Sequence, residues 1–251
     1  MKNIYFIADA HLGSRGVPNN RAQEKKLVRF LDSIKEQASA LYMLGDMFDF
    51  WYEYRMVVPR GFTRFLGKLS ELTDRGIEVH YFTGNHDIWC SDYLPQECGV
   101  ILHREPLLTE ILGRRFFLAH GDGLGDPTLS FRLLRAIFHS RLCQVLFSCI
   151  HPRWAIDFGL AWAKHSRQKR DKMGGELPYL GEDREYLVRF AKEYLQAHPG
   201  EVDFFLFGHR HIELDLTLTA QTRLMIVGDW ITQWTYAVFD GENLSLERYE
   251  E

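Results

Sequence analysis

The 251-residue sequence contains only four cysteines, Cys90, Cys98, Cys143 and Cys149. Their spacings match neither a zinc-binding pair nor a redox pair. Free thiols in a reducing compartment are therefore expected, not a disulfide framework. No uninterrupted apolar run reaches the length of a membrane span. The opening residues carry no basic start, apolar stretch and cleavage site in succession, so a cytoplasmic protein is expected. An excess of basic charge is missing too. Thirty Lys and Arg stand against 34 Asp and Glu, a formal net charge of -4. That removes any global argument for a nucleic-acid partner. What is present is ordinary for a folded chain, 46% hydrophobic and 25% charged residues. A chain of this length can bury one sizeable core, so a single domain over 1–251 is expected.

The pattern opens with a short apolar run at 4–8, most simply a buried strand. Helical spacing follows over 21–36 through Leu27, Phe30, Leu31 and Ile34. A strand at 40–44, a helix over about 60–75 and a strand at 77–82 continue the alternation. Such an order predicts an α/β fold with a largely parallel sheet and covering helices. Further strands are expected at 115–119 and 202–207, with an amphipathic helix at 181–197 between them. After 207 only short strands remain, about 212–219, 222–228, 234–240 and 243–248. They are expected to pair antiparallel, with turns at Ala220-Gln221 and Asp240-Gly241. The stretch 129–172 is dense in Phe, Leu, Ile and Trp yet carries Arg and Lys throughout, and reads as two or three inserted helices. Packing against the main domain is the plain explanation. A cap offering an apolar surface to a ligand or a membrane is the functional one.

Five polar clusters each follow an expected strand: Asp9-Ala10-His11, Gly45-Asp46-Met47-Phe48-Asp49, Gly84-Asn85-His86-Asp87, His120-Gly121-Asp122 and Gly208-His209-Arg210-His211. A lone His after a strand is ordinarily a satisfied side chain, and an Asp beside Gly is ordinarily a turn. Five such clusters at strand ends are a different matter. In open α/β sheets ligands gather beyond the carboxyl ends of the strands, so all five are expected to converge. The donors are oxygen and imidazole without thiolate, which suits Mn, Fe, Co or Zn. Asp46 can bridge two ions. Asp9, His11 and His211 would complete one, and Asn85, His120 and His209 the other. Two ions roughly 3.5–4 Å apart clamp the attacking and departing oxygens of a phosphoryl displacement.

In order and spacing these clusters resemble the calcineurin-like metallophosphoesterase superfamily, whose signature runs D-x-H, G-D-x-x-[DE], G-N-H-[DE], H and G-H-x-H. The resemblance implies a sandwich of two mixed β-sheets flanked by helices, here with a helical cap insertion, and a two-metal hydrolase. Within that superfamily the chain most resembles, over nearly its whole length, the UDP-2,3-diacylglucosamine pyrophosphatases of lipid A biosynthesis. The features are the compact length, the run 41–51 around Asp46, the His120-Gly121-Asp122 motif and the inserted helices. In that family the insertion holds acyl chains. The basic run 165–172 falls where the family places groups for the nucleotide and sugar phosphates. The implied substrate contacts are thus Ser166, Arg170 and Lys172, with Asn85, His86 and His209. Asp46, Asn85 and His86 are the implied catalytic residues. The main branch has Gly-Asn-Arg-Asp at the third motif, whereas this chain has His86 there, placed to act as an acid or phosphate donor.

The resemblance implies two divalent ions, manganese first, and an acylated nucleotide-sugar substrate split into UMP and a sugar 1-phosphate. It implies a peripheral place on the inner membrane, with no nucleic acid and no obligate protein partner. A general phosphodiesterase or nucleotide phosphatase is the alternative enzyme, but a small soluble nucleotide has no need of the apolar stretch 129–172. A nuclease would want a basic groove that the sequence lacks. A non-catalytic scaffold would be expected to have lost some of the metal ligands, and all are here.

Overall fold

A computed structural model describes residues 2–125, 133, 136–138, 140–171 and 179–250, the side chains of 166–171 excepted. The first half runs β1 (Asn3–Ile7), α1 (Asn20–Ile34), β2 (Ala38–Met43), α2 (Thr63–Asp74), β3 (Glu78–Phe82), α3 (Tyr93–Cys98), β4 (Ile101–His103), β5 (Leu107–Ile111) and β6 (Arg114–Ala119). The second half runs α4 (Arg141–Ser148), α5 (Pro152–Asp171), α6 (Tyr186–Ala197), β7 (Phe204–Phe207), β8 (Glu213–Thr217), β9 (Arg223–Val227), β10 (Thr235–Phe239) and β11 (Leu244–Arg248).

Two mixed sheets face each other. One has the order β11-β10-β1-β2-β3-β4 and the other β5-β6-β7-β9-β8. The strands β1 to β4 are parallel, as are β6, β7 and β9, while β5, β8, β10 and β11 pair antiparallel. The central strands β1, β2, β7 and β9 read as near-continuous apolar runs because both faces are buried. Along β1, Ile4 and Phe6 point between the sheets, whereas Tyr5 and Ile7 point to α1 and α2. In β7, Phe204 and Leu206 fill the space between the sheets and Phe205 and Phe207 pack under α6. Helix α1 starts where Asn19 accepts a hydrogen bond from the Ala22 amide, an N-cap. Its Leu27, Phe30, Leu31 and Ile34 then lie buried on one face.

Two regions differ from the sequence expectation. The segment 93–111 carries no clear periodic signal, yet it forms α3, β4 and β5. These elements are short, and β5 alternates exposed and half-buried residues at a sheet edge, so their apolar signal is weak. The four closing strands form two hairpins, β8 with β9 and β10 with β11, but not one ladder. Between β9 and β10 the chain changes sheet, and β10 pairs with β1. The helix expected over 181–197 starts only at Tyr186, because Glu185 is held extended at its N-cap.

The inserted segment is helical at 133, 136–138, α4 and α5. It is tied to the body by Trp89 Nε1, which donates to the Phe138 carbonyl at 2.8 Å, and by the Tyr52 hydroxyl, which donates to the Gln144 carbonyl at 2.8 Å. An ion pair joins Arg15 to Asp157. Much of the apolar surface of this cap is exposed, including Leu142, Val145, Leu146 and Trp154. Among the described residues no helix is long and apolar enough to cross a membrane.

Candidate metal centre

All five clusters converge at the carboxyl ends of β1, β2, β3, β6 and β7. Asp9, His11 and His211 offer ligand atoms within 4.8 Å of one another, and so do Asp46, His120 and His209. His11 Nε2 lies 3.2 Å from His211 Nε2, and His120 Nε2 lies 3.2 Å from His209 Nδ1. Asp46 Oδ2 stands between the two groups, 3.6 Å from His11 Nε2 and 3.4 Å from His120 Nε2. The His209 amide donates to Asp9 Oδ2 at 2.7 Å, which locks the first and last motifs together.

The backbone is strained at the same residues. Asp9, His11, Asp46, His209 and His211 all have positive φ, between 43° and 66°. Non-glycine residues in that region cost about 1–3 kcal/mol each and persist where surrounding structure holds them for a purpose. Gly84 is required by close approach: a Cβ there would meet the Asp46 carboxylate and its amide.

A cation fits this donor set. Asp9 Oδ1 and Asn85 Oδ1 are buried and accept no hydrogen bond. Imidazole nitrogens face each other in pairs, an arrangement that needs a proton or a cation between them. The outer nitrogens of the imidazoles are held. His120 Nδ1 donates to the Leu44 carbonyl at 2.8 Å, His11 Nδ1 lies 3.3 Å from Asp49 Oδ1, and His211 Nδ1 lies 3.4 Å from Asp229 Oδ2. Such partners fix which nitrogen faces inward and raise its basicity. Asp229 was missed in the sequence, though Gly228-Asp229 after β9 repeats the pattern of Gly45-Asp46 after β2. Its Oδ1 accepts from the amides of Ile231, Thr232 and Gln233. Burial would raise this carboxyl, but His211 and the backbone amides of Thr232 and Gln233 bring it down to about 2.

Two further contacts brace the loops. Asp87 accepts from the Tyr81 hydroxyl at 2.5 Å, the Gly84 amide at 2.7 Å and the Met47 amide at 2.9 Å. It thereby ties the second motif to the third. Arg210, between two candidate ligands, makes a buried two-pronged pair with Glu185 at 2.8 and 3.0 Å.

His86 sits beside this centre, its ring edge-on to His11 at 4.6 Å. Its Nδ1 donates to the Asp49 carbonyl at 2.9 Å, since a carbonyl can only accept. Burial first, and then the neighbouring His11, lower this imidazole to about 4. The resting ring is therefore neutral and presents the Nε2 lone pair. Of the other expected substrate contacts, Lys172 and the side chains of Ser166 and Arg170 lie outside the described residues.

A cavity of about 240 Å³ opens from Asn85 and His86 into the cap. Its aromatic walls are Phe50, Trp89, Phe138, Phe147, Phe158 and Trp162, and Ile88, Gly159, Ala163, Asp49 and Asp122 also line it. Phe138 therefore faces the cavity, as the cap expectation allowed, whereas Trp154 points outward and is 69% exposed. Phe131 and Leu134 lie outside the described residues.

The profile of the family described as calcineurin-like phosphoesterase matches residues 2–213. The chain belongs to the calcineurin-like phosphoesterases. Members of that family work with divalent metal ions, in agreement with the donor groups described above. A curated relative from Porphyromonas gingivalis, named UDP-2,3-diacylglucosamine hydrolase, is 45% identical over 99% of this chain and 98% of its own. A protein of the same name from Histophilus somni is 25% identical over 92% of this chain and 93% of its own. Among solved structures, a phosphoesterase from E. coli aligns over 98% of this chain and 92% of its own, at 15% identity and a TM-score of 0.45. By its family match and its 45% identity to the Porphyromonas gingivalis protein, this chain is a phosphoesterase-family hydrolase, and it has the two mixed sheets that its motifs imply.

Protonation should oppose metal loading. Burial alone would lower His11, but Asp49, Asp9 and Asp46 outweigh it and hold the imidazole up at about 9. His120 is likewise held high, chiefly by Asp46 against its burial. With its folded value above the ordinary 6.5, His11 stabilises the metal-free fold fully below 6.5, and this contribution is lost as pH rises through about 9. Metal affinity should move the other way, strengthening from pH 6.5 to about 9 as the competing proton leaves. Calorimetric titration with manganese in buffers of different ionisation enthalpy should show proton release of about one or more per chain at neutral pH. Release of none would contradict this ligand set.

Proposed function

We propose that the chain, acting as one domain over 1–251, hydrolyses the pyrophosphate of UDP-2,3-diacylglucosamine in lipid A biosynthesis. The products are UMP and 2,3-diacylglucosamine 1-phosphate. The observation that carries this reading is the aromatic cavity that opens directly from Asn85 and His86. A phosphoesterase for small soluble esters has no use for it, whereas a doubly acylated sugar fills it. The 45% identity to the Porphyromonas gingivalis protein of that name supports the same substrate.

Asp9, His11 and His211 would hold one ion and Asn85, His120 and His209 the other, with Asp46 offered to both. When bound, the ions, manganese first among the candidates, supply Lewis acidity and an activated water for attack on phosphorus. Asn85 and His209 border the phosphoryl oxygens, and the basic run with Ser166, Arg170 and Lys172 serves the substrate phosphates. His86 Nε2 acts on the phosphoryl group: a phosphate oxygen arriving there brings the negative charge that raises the proton affinity of the ring. His86→Ala should slow turnover by about 10²–10⁴-fold, the usual weight of a general acid or base. It should also keep two equivalents of metal by elemental analysis. Loss of one equivalent would make His86 a ligand, a role its position beside His11 and Asp46 also permits.

The exposed apolar side chains of α4 and α5, with nearby Arg141, Arg153 and Lys164, favour a cytoplasmic protein resting on the inner membrane through its cap. Cosedimentation with anionic vesicles tests this, and absence of binding would remove it. The activity itself is tested by incubating manganese-loaded protein with UDP-2,3-diacylglucosamine. UMP and the acylated sugar phosphate should appear in equal amounts. Release of UDP, or no release beside rapid hydrolysis of unacylated nucleotides, would refute the proposed substrate.

A further inference from the structure

A second cleft leaves the metal centre in another direction. It measures about 130 Å³ and begins at His120 and Gly121. Asp122 lines both this cleft and the aromatic cavity, so the two meet beside the candidate ligands. Their chemistry differs. The aromatic cavity is walled by six rings, whereas the second cleft presents Thr83, His103, Arg104 and Glu105. These residues sit at the ends of β3 and β4, where the Thr83 amide donates to the His103 carbonyl at 2.9 Å. The His103 ring lies nearly parallel on Phe82, with centroids 4.6 Å apart, and forms a flat wall. Arg104 is exposed, yet its guanidinium is steadied by donating to the Cys90 carbonyl at 3.1 Å.

A pyrophosphate carries one group on each phosphorus, and two clefts beside the candidate ligands offer each group a place of its own. Acyl chains suit only the aromatic cavity. We infer that the cleft formed by Thr83, His103, Arg104 and Glu105 receives the nucleoside half of the substrate. This inference rests on the proposed pyrophosphatase reading and adds the place of the second half. The cleft offers a cation and a hydroxyl to the acceptor atoms of the base and ribose. It offers a carboxylate to their N–H and O–H donors, and the His103 ring face for the base to pack against.

The test uses the full-length, metal-loaded protein with bis(p-nitrophenyl) phosphate as reporter. UMP, the other nucleoside monophosphates and inorganic phosphate serve as competing inhibitors. Phosphate alone reports the metal centre, and the nucleotides add the cleft. In Arg104→Leu, and separately in Thr83→Val, the UMP inhibition constant divided by that of phosphate should rise at least fivefold. Arg104→Lys should recover part of the loss. An unchanged ratio in both variants would overturn the inference, as would wild-type protein that binds every nucleoside monophosphate no better than phosphate. The two levels separate cleanly. If some nucleotide other than UMP is preferred and the variants weaken it, the cleft stands and the uridine substrate falls. If UDP-2,3-diacylglucosamine is hydrolysed but the ratios do not move, the cleft falls and the substrate stands.

Discussion

Asp46→Asn should lower kcat/KM by at least about a thousandfold at every manganese concentration, since metal ions supply several kcal/mol of charge stabilisation to such reactions. The carboxylate is buried, and Oδ2 lies within 3.6 Å of His11 Nε2 and 3.4 Å of His120 Nε2. Among the described residues no other carboxylate stands between the two donor groups. Burial opposes its ionisation, but the His120 and His11 imidazoles hold it well below the usual carboxylate range, so it is an anion whenever the site is in use. Asparagine keeps the shape and can still accept the His86 amide, which now donates to Oδ1 at 2.8 Å. The loop should therefore remain folded while the metal content falls below two per chain. Elemental analysis beside steady-state kinetics checks both halves. Near-normal turnover would remove Asp46 from the bridge.

Gly159→Leu should close the acyl cavity. Gly159 lies on α5 directly against the Phe50 ring, where even a single added Cβ has no room. A leucine must displace Phe50 or fill the space between Phe158 and Ala163. A buried methylene is worth about 0.8 kcal/mol, so denying room to about four of them costs about 3 kcal/mol. That corresponds to a loss of about 200-fold in kcat/KM for a long-chain substrate. A short-chain substrate should lose far less. Helix propensity moves the other way, because glycine inside a helix is the poorer residue by about 0.8–1.0 kcal/mol relative to alanine. A loss of activity without a fall in melting temperature would therefore point to the cavity and not to an unwound α5. Equal losses on long and short chains would show that Gly159 serves the helix packing alone.

The candidate ligands could be read together because each motif is short, local and placed at the end of an apolar strand. Topology then does the rest: parallel strands bring Asp9 and His209, 200 residues apart, to one edge of the sandwich. Asp229 follows β9 as Asp46 follows β2, but it lies outside the motif, and its contact with His211 shows only in three dimensions. Glu185 and Arg210 are a similar case, two charges whose burial together could not be seen from 25 residues of separation. The strands β4 and β5 were lost because edge strands with one exposed face lack the apolar run that marked β1 or β7. In the cap the difficulty was the opposite. Apolar residues lie on several sides of α4 and α5, so composition gave a helical insertion but not its orientation. Phe138 faces inward against Trp89, whereas Trp154 points outward.

The most direct measurement is kcat/KM for manganese-loaded protein on UDP-glucosamine substrates with long acyl chains, short acyl chains and none. The cavity beside Asn85 and His86 should make efficiency fall steeply as the chains shorten, by more than about a hundredfold across the series, given about 0.8 kcal/mol for each buried methylene. Equal efficiency on acylated and unacylated substrates, in folded protein carrying both metals, would contradict it and leave a general nucleotide phosphodiesterase in its place.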